Sequence, residues 1–299
     1  MKIAIVTSTY NRAQLLYRLF RTLVQQSNND FIWIIIDDGS NDNTEYLVNS
    51  WLVGDIPFEI RYYKKENAGK SKALNYAFEN NKDIDFFAII DSDEQTLNNS
   101  VDIIRQKAKK YLNDLDVGAI FFRYKNMNGS LLHLKRGKSC KDELILSRYQ
   151  HDALYSKDDG CIGYYKRTIT LYRFPEYPFE TYIGPTVLQM SMADQYKIAF
   201  THEVVGIAEY QENGISRSGR RLRLKNPIGM MCYCLLLQSE KNKVYLSRIK
   251  YAIAAQAYYY IAKKTKRNIP SELKEKLNMI QKFPGMLLGY YWMKRYGEQ

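Results

Sequence analysis

Apolar runs alternate with segments of helical spacing through the first 112 residues. Ile3 to Thr7 is continuously apolar, the pattern of a strand covered on both faces. Leu15, Leu16, Leu19, Phe20, Leu23 and Val24 then recur at helical spacing. Phe31 to Ile36 is a second buried strand, and Ser40 is placed to cap a short helix running through Trp51. Phe58 to Tyr63 is a third, more mixed strand. Ala73, Leu74, Ala77 and Phe78 mark a helix after Gly69. Phe86 to Ile90 is a fourth strand, followed by a helix from about Ser100 to Leu112. Right-handed crossovers fold such a series into one parallel, twisted sheet.

After Gly118 the pattern changes. Ala119 to Tyr124 reads as a strand, and Asn128-Gly129 as a hairpin turn. Residues 133–160 are polar and carry weak signals. Phe174 to Gly184 holds four aromatics and two prolines and reads as a loop; Pro185 opens a helix to about Tyr196. Ile198 to Tyr210 reads as a strand, and everything from Leu222 onward as helix. The expected organisation is a domain over 1–220, with halves 1–112 and 113–220, and a helical region over 221–299.

Charge sharpens that division. Residues 217–299 hold 18 Lys+Arg against 4 Asp+Glu, a net +14, and residues 1–216 hold 26 against 28, a net −2. The basic character therefore belongs to the C-terminal quarter, which suits either an anionic partner or a solvated helical surface. There, Tyr251, Tyr258, Tyr259 and Tyr260 stand among bases, as do Met286, Leu287, Leu288, Tyr290, Tyr291 and Trp292. Apolar and aromatic groups beside bases fit an interfacial helix on an anionic membrane surface, or helices packed on the rest of the chain. Cys140, Cys161, Cys232 and Cys234 lack zinc-ligand spacing and read as reduced thiols. The first apolar run is too short for a signal-peptide core, and no stretch approaches the roughly 18 apolar residues of a membrane span. His133, His151 and His202 are scattered and form no metal pair.

The candidate chemistry lies at the ends of strands. The fourth run ends in Asp91-Ser92-Asp93-Glu94, and the second in Asp37-Asp38-Gly39-Ser40. Carboxylates at i and i+2 past a strand end can both reach a hard cation bridging two phosphates. Open α/β sheets bind ligands at that edge. Four segments follow in order: Ile5 to Arg12, Ile36 to Asp42, Asn67 to Asn75, and Ile90 to Asp93. Together they resemble the nucleotide-sugar half of a family 2 glycosyltransferase, strongly over residues 1–95 and more loosely to about 230. The second stretch, around Lys225-Asn226-Pro227, is similar to capsule- and lipopolysaccharide-cluster members. The resemblance implies a GT-A, Rossmann-like fold: a mostly parallel sheet with flanking helices and a C-terminal helical region.

It also implies roles. Ser8, Thr9, Tyr10 and Arg12 would meet the donor, with Tyr10 against the base. Asp38 would accept a hydrogen bond from a uracil ring nitrogen, and its charge also suits the next helix dipole. Gly69 would allow close backbone approach, with Lys70 and Lys72 facing phosphates or sugar. Asp91 and Ser92 would complete the donor site. Asp93, with Asp91, would hold Mn²⁺ or Mg²⁺. The implied enzyme is an inverting, hexosyltransferase-type glycosyltransferase using a nucleoside-diphosphate sugar, UDP-linked by preference. Its acceptor would be a surface-polysaccharide glycan or a lipid-linked sugar. It would work in the cytoplasm or at the inner face of the plasma membrane, with no nucleic acid.

Inversion requires a base for the acceptor hydroxyl. Where the resemblance calls for a glutamate, this chain has Pro185. Glu180, on the same loop, is the expected base, with Asp194 and Asp159 as the alternatives. The alternative is a catalytically impaired protein that binds nucleotide sugar as a partner.

Overall fold

The structure is a computed structural model and describes residues 1–135, 143–155, 157–209 and 219–297. The chain divides into two units. The first comprises Met1–Arg173 and Met192–Glu209; the second comprises Phe174–Ser191 and Tyr210–Gln299. The segment 174–191, read from sequence within the acceptor half, thus belongs with the C-terminal helices.

The first unit begins β1 (Ile3–Thr9), α1 (Ala13–Val24), β2 (Ile32–Asp37), α2 (Thr44–Leu52), β3 (Glu59–Lys64), α3 (Lys70–Asn80), β4 (Phe86–Ile89). These strands lie parallel in the order β3-β2-β1-β4. β1 and β2 are buried along both faces apart from Ser8, which explains their uninterrupted apolar runs. On one face Leu16, Leu19 and Leu23 of α1 join Ile3, Ile5, Trp33 and Ile35 in one apolar cluster. The Phe20 and Trp51 rings stack there at 4.1 Å. Helix α3 packs on β1 and β2 outside that cluster, and its Ala73, Leu74, Ala77 and Phe78 are buried.

The chain continues with β5 (Gln95–Thr96), α4 (Ser100–Lys110), β6 (Val117–Lys125), β7 (His133–Lys135), β8 (Leu144–Leu146), α5 (Arg148–Leu154), β9 (Lys157–Asp158), β10 (Gly160–Tyr165) and α6 (Lys166–Leu171). β10 was not expected. It inserts antiparallel between β4 and β6, pairing Ile162 with Ile89 and Gly163 with Ile120. The sheet then continues β6-β11-β5, with β8 also on β11 (Lys197–Ile207). The expected turn at Asn128-Gly129 forms, with Asn126 and Ser130 bonded across it.

The helix expected from Pro185 to Tyr196 is shorter: α7 is Val187–Ser191, and a 3₁₀ turn covers Met192–Asp194. The second unit adds α8 (Gly219–Lys225), α9 (Pro227–Gln238), α10 (Tyr245–Lys264), α11 (Ser271–Glu275) and α12 (Lys282–Tyr296). Pro227 occupies the first turn of α9, where its missing N–H costs nothing. No described helix is long and apolar enough to cross a membrane. Cys161, Cys232 and Cys234 are free thiols, as expected; Cys140 lies outside the described residues.

Candidate active site

The carboxyl ends of β1, β2 and β4 meet at one edge of the parallel sheet, and three loops close over it. Asn11 follows β1 with φ +51°, a left-handed conformation that asparagine tolerates. Its Oδ1 accepts from Asn41 N at 2.8 Å, and its own N–H donates to Ser40 Oγ at 2.9 Å. Ser40 therefore ties two loops together and does not cap α2. The α2 terminus is served by Asp42, whose Oδ1 accepts from Thr44 N at 3.0 Å. The other Asp42 oxygen accepts from Ala13 N in the first turn of α1.

Asp38 lies almost wholly inside. Its Oδ1 accepts from Lys65 Nζ at 2.8 Å and Ala68 N at 3.0 Å; its Oδ2 accepts from Gly69 N at 2.7 Å. Three of roughly four acceptor positions on the carboxylate are thereby used by the loop that opens α3. Gly69 stands at φ +96°, where a side chain would be strained. Beside this loop is a cavity of about 450 Å³ lined by Gly39, Ser40, Asn41, Lys64, Lys65, Glu66 and Asn67. Tyr10 is exposed, Ser8 half-buried and Thr9 buried at the end of β1. Lys72 is half-buried in the first turn of α3.

Past β4 the acids meet two bases. Lys70 Nζ lies 2.5 Å from both oxygens of Asp91. Burial alone pushes the Lys70 ammonium down, but the charge and hydrogen bond of Asp91 outweigh it and the net direction is up. Arg12 Nη1 lies 3.2 Å from Asp93 Oδ2 and 3.5 Å from Ser92 Oγ. Each carboxylate of the Asp91-Ser92-Asp93 pair thus has its own cation, from the start of α3 and of α1 respectively.

Sequence reasoning missed the floor beneath this pair. Glu94 Oε2 accepts from Asp91 N at 2.9 Å and from the Tyr124 hydroxyl at 2.5 Å. Burial drives the Glu94 carboxyl well above its ordinary range, and the Asp91 charge adds to this. The Tyr124 bond, the Asp91 amide and Lys70 oppose the rise without reversing it. Burial likewise raises the Tyr124 hydroxyl and the Cys161 thiol. The adjacency of Glu94 to the aspartates was visible in the sequence, but its partners on β6 and β10 were not.

The three proposed bases differ in their local settings. Asp194 is exposed at the end of the 3₁₀ turn. Glu180, expected to face an acceptor, is only 2% exposed in the second unit. Its Oε1 accepts from Ile228 N at 2.7 Å and its Oε2 from Gly229 N at 2.6 Å, at the start of α9. A carboxylate there satisfies two orphan amides and complements the helix dipole. Asn226 completes the clasp by accepting from Thr181 N and Tyr182 N. Glu180→Gln should therefore lower stability by about 1–3 kcal/mol, because its amide would turn a donor toward a backbone N–H. Thermal melts check this; an unchanged midpoint with lost transfer would instead make Glu180 a base. Asp159 directly precedes β10, whose antiparallel register brings its first residues to the edge where β4 ends. Asp159 Oδ1 accepts from Gly160 N at 2.9 Å.

His151 stacks on Phe200 at 3.8 Å, a packing role, and His202 lies within β11. No group of three or more His, Cys, Asp or Glu among the described residues is arranged to hold a metal. The Asp91 and Asp93 carboxylates nevertheless have the hard-oxygen chemistry of a Mg²⁺ or Mn²⁺ site completed by substrate phosphates and water.

A parallel half-sheet carrying paired acids at its carboxyl edge places the chain among α/β proteins of the GT-A class. Residues 4–174 match the model of glycosyl transferase family 2, and the chain belongs to that family. It is similar to an uncharacterized glycosyltransferase of Mycoplasma pneumoniae, the MG060 homolog. The two are 29% identical over 120 residues, which cover 39% of this chain and 40% of that protein. The chain thus spans about two fifths of that relative's length.

Among solved structures, S. aureus TarS 1–349 superposes with a TM-score of 0.63 at 14% identity, covering 100% of this chain and 92% of that one. TarS was also solved with UDP-GlcNAc, at a TM-score of 0.59 and 14% identity, covering 99% of this chain and 82% of that one. Glucosyl-3-phosphoglycerate synthase from Mycobacterium tuberculosis, solved with Mn²⁺, UDP and glucosyl-3-phosphoglycerate, gives 0.53 at 15% identity, covering 79% of each chain. At these identities the superpositions establish the GT-A fold alone.

Proposed function

We propose that this protein is an inverting, metal-dependent glycosyltransferase. It moves a sugar from a nucleoside diphosphate, UDP by preference, to a cell-surface glycan or lipid-linked acceptor. The observation that carries this reading is the meeting of Asp91 and Asp93 with Lys70 and Arg12 at the carboxyl edge of the sheet. Complexes of the structural neighbours with UDP-GlcNAc, or with UDP and Mn²⁺, support the choice of ligand class.

Asp91 and Asp93 would hold the cation, whose charge, when bound, offsets the negative charge that grows on the departing diphosphate. Lys70 and Arg12 add positive charge beside the same phosphates. Tyr10 offers an exposed ring to the base. Asp38 shapes the loop over the 450 Å³ cavity and keeps acceptor capacity toward a base N–H. Glu94 and Tyr124 fix the backbone of Asp91 from below. Among the three carboxylates, we assign the acceptor proton to Asp159, since β10 delivers it to the edge where the metal pair stands. Asp159→Asn should slow transfer by roughly a hundredfold or more while donor affinity stays near wild type, the scale of a lost general base. Normal transfer by this variant would remove Asp159 from the mechanism.

Pro185 and the clasped Glu180 favour a second reading, a nucleotide-sugar-binding partner without transfer. A panel of nucleoside-diphosphate sugars, assayed for hydrolysis and transfer with Mn²⁺ and with chelator, separates the two. Metal-dependent turnover of one donor supports the transferase. Tight binding with no turnover on any acceptor supports the partner.

A further inference from the structure

The terminal helix of the second unit carries two faces, and among the described residues one is packed and the other exposed. On the inner face Gly285, Gly289 and Trp292 are buried. A Cβ at Gly285 would come within 2.3 Å of Gln256 Cβ, and one at Gly289 within 2.8 Å of Ala257 O. Only glycine permits so close an approach of α12 to α10. The Trp292 ring lies 5.2 Å from that of Tyr258, and Arg220 stacks on it at 3.9 Å. These contacts fix the rotation of α12 about its own axis.

That rotation turns an apolar surface outward. Phe283 is 68% exposed, Leu287 56% and Tyr290 58%, at spacings that align them along one face. Met286 and Tyr291 flank them, and Ile280 in the preceding turn is also exposed. From Phe283 to Tyr291 no charged residue interrupts the surface. Lys282 stands at one end, Lys294 and Arg295 at the other, and α12 contains no acid. A contiguous apolar strip of this kind on a soluble surface marks a contact site.

We propose that the outer face of α12 lies in the interface of an anionic lipid surface, parallel to the membrane plane. Charge chooses this occupant over a second copy of the chain. Residues 217–299 carry a net +14, so a symmetric pairing through α12 would bring two strongly basic regions together. Anionic headgroups would instead neutralise Lys282, Lys294 and Arg295 while the acyl boundary receives Phe283, Leu287 and Tyr290. At 15 residues, with bases at both ends, the helix is too short to span, which leaves an in-plane seat. This inference stands independently of the donor reading.

The test is co-sedimentation of the full chain with phosphatidylcholine vesicles and with vesicles containing phosphatidylglycerol. Binding should require the anionic lipid and weaken with added salt. Phe283→Ser/Leu287→Ser/Tyr290→Ser should weaken it by roughly tenfold or more, because apolar burial and charge act together. Lys294→Glu/Arg295→Glu, at exposed positions outside the buried face of α12, should do the same and guards against a folding defect in the first variant. Equal binding to neutral vesicles, or binding indifferent to both variants, would overturn the proposal. So would a dimer seen by light scattering that both variants dissolve while no vesicle binding occurs.

Discussion

Asp93→Ala should reduce transfer by roughly a hundred- to a thousandfold, the scale of losing a group that stabilises leaving-group charge. Asp93 stands past the end of β4 and is half-buried, so little packing is lost with its carboxylate. Arg12 Nη1 lies 3.2 Å from its Oδ2. Removing the acid frees that guanidinium beside the diphosphate, so nucleotide binding without metal should survive or tighten slightly. The two effects point in opposite directions, which a general folding defect would not produce. Steady-state transfer and metal-free UDP titration on the same preparation check both halves.

Lys70→Met should also split by condition. Lys70 neutralises Asp91 through both carboxylate oxygens. Without it, Asp91 stands unneutralised near Asp93 and Glu94, and Mn²⁺ added in the absence of nucleotide should bind severalfold more tightly. UDP, by contrast, loses a cation that can face its phosphates. Its affinity should fall by about 1.5–3 kcal/mol, or roughly ten- to a hundredfold. Calorimetric titrations of Mn²⁺ alone and of UDP alone check the two signs. A loss of both affinities would mean that Lys70 merely holds the loop at the start of α3.

Much of this site was legible in the chain because its scaffold is built from buried parallel strands. Phe31 to Ile36 and Phe86 to Ile90 had to be continuously apolar, so the acids that end them stood out. The i, i+2 spacing of Asp91 and Asp93 needed no tertiary information. What escaped was decided by contacts distant in sequence. β10 begins in a polar stretch, and only pairing with β4 and β6 makes it a central strand. The Tyr124–Glu94 bond joins residues 30 apart, on elements whose neighbours the sequence did not reveal. Glu180 looked like a loop acid because nothing local shows that the start of α9 packs against it. One miss was readable: Ser147 and Gln150 form a capping box at the start of α5, a signature visible as Ser-x-x-Gln. The glycines of α12 carried another signal, since their four-residue spacing marks the face that must approach a neighbour.

The central claim is that Asp91 and Asp93 hold a divalent cation against the diphosphate of a bound nucleotide. Isothermal titration of UDP into the wild-type protein and Asp93→Ala, each with Mn²⁺ and with chelator, tests it most directly. The account predicts that Mn²⁺ strengthens UDP binding by roughly tenfold or more in the wild type and leaves Asp93→Ala unchanged, since the missing carboxylate is a cation ligand. Equal enhancement by Mn²⁺ in both proteins, or none in the wild type, would contradict it.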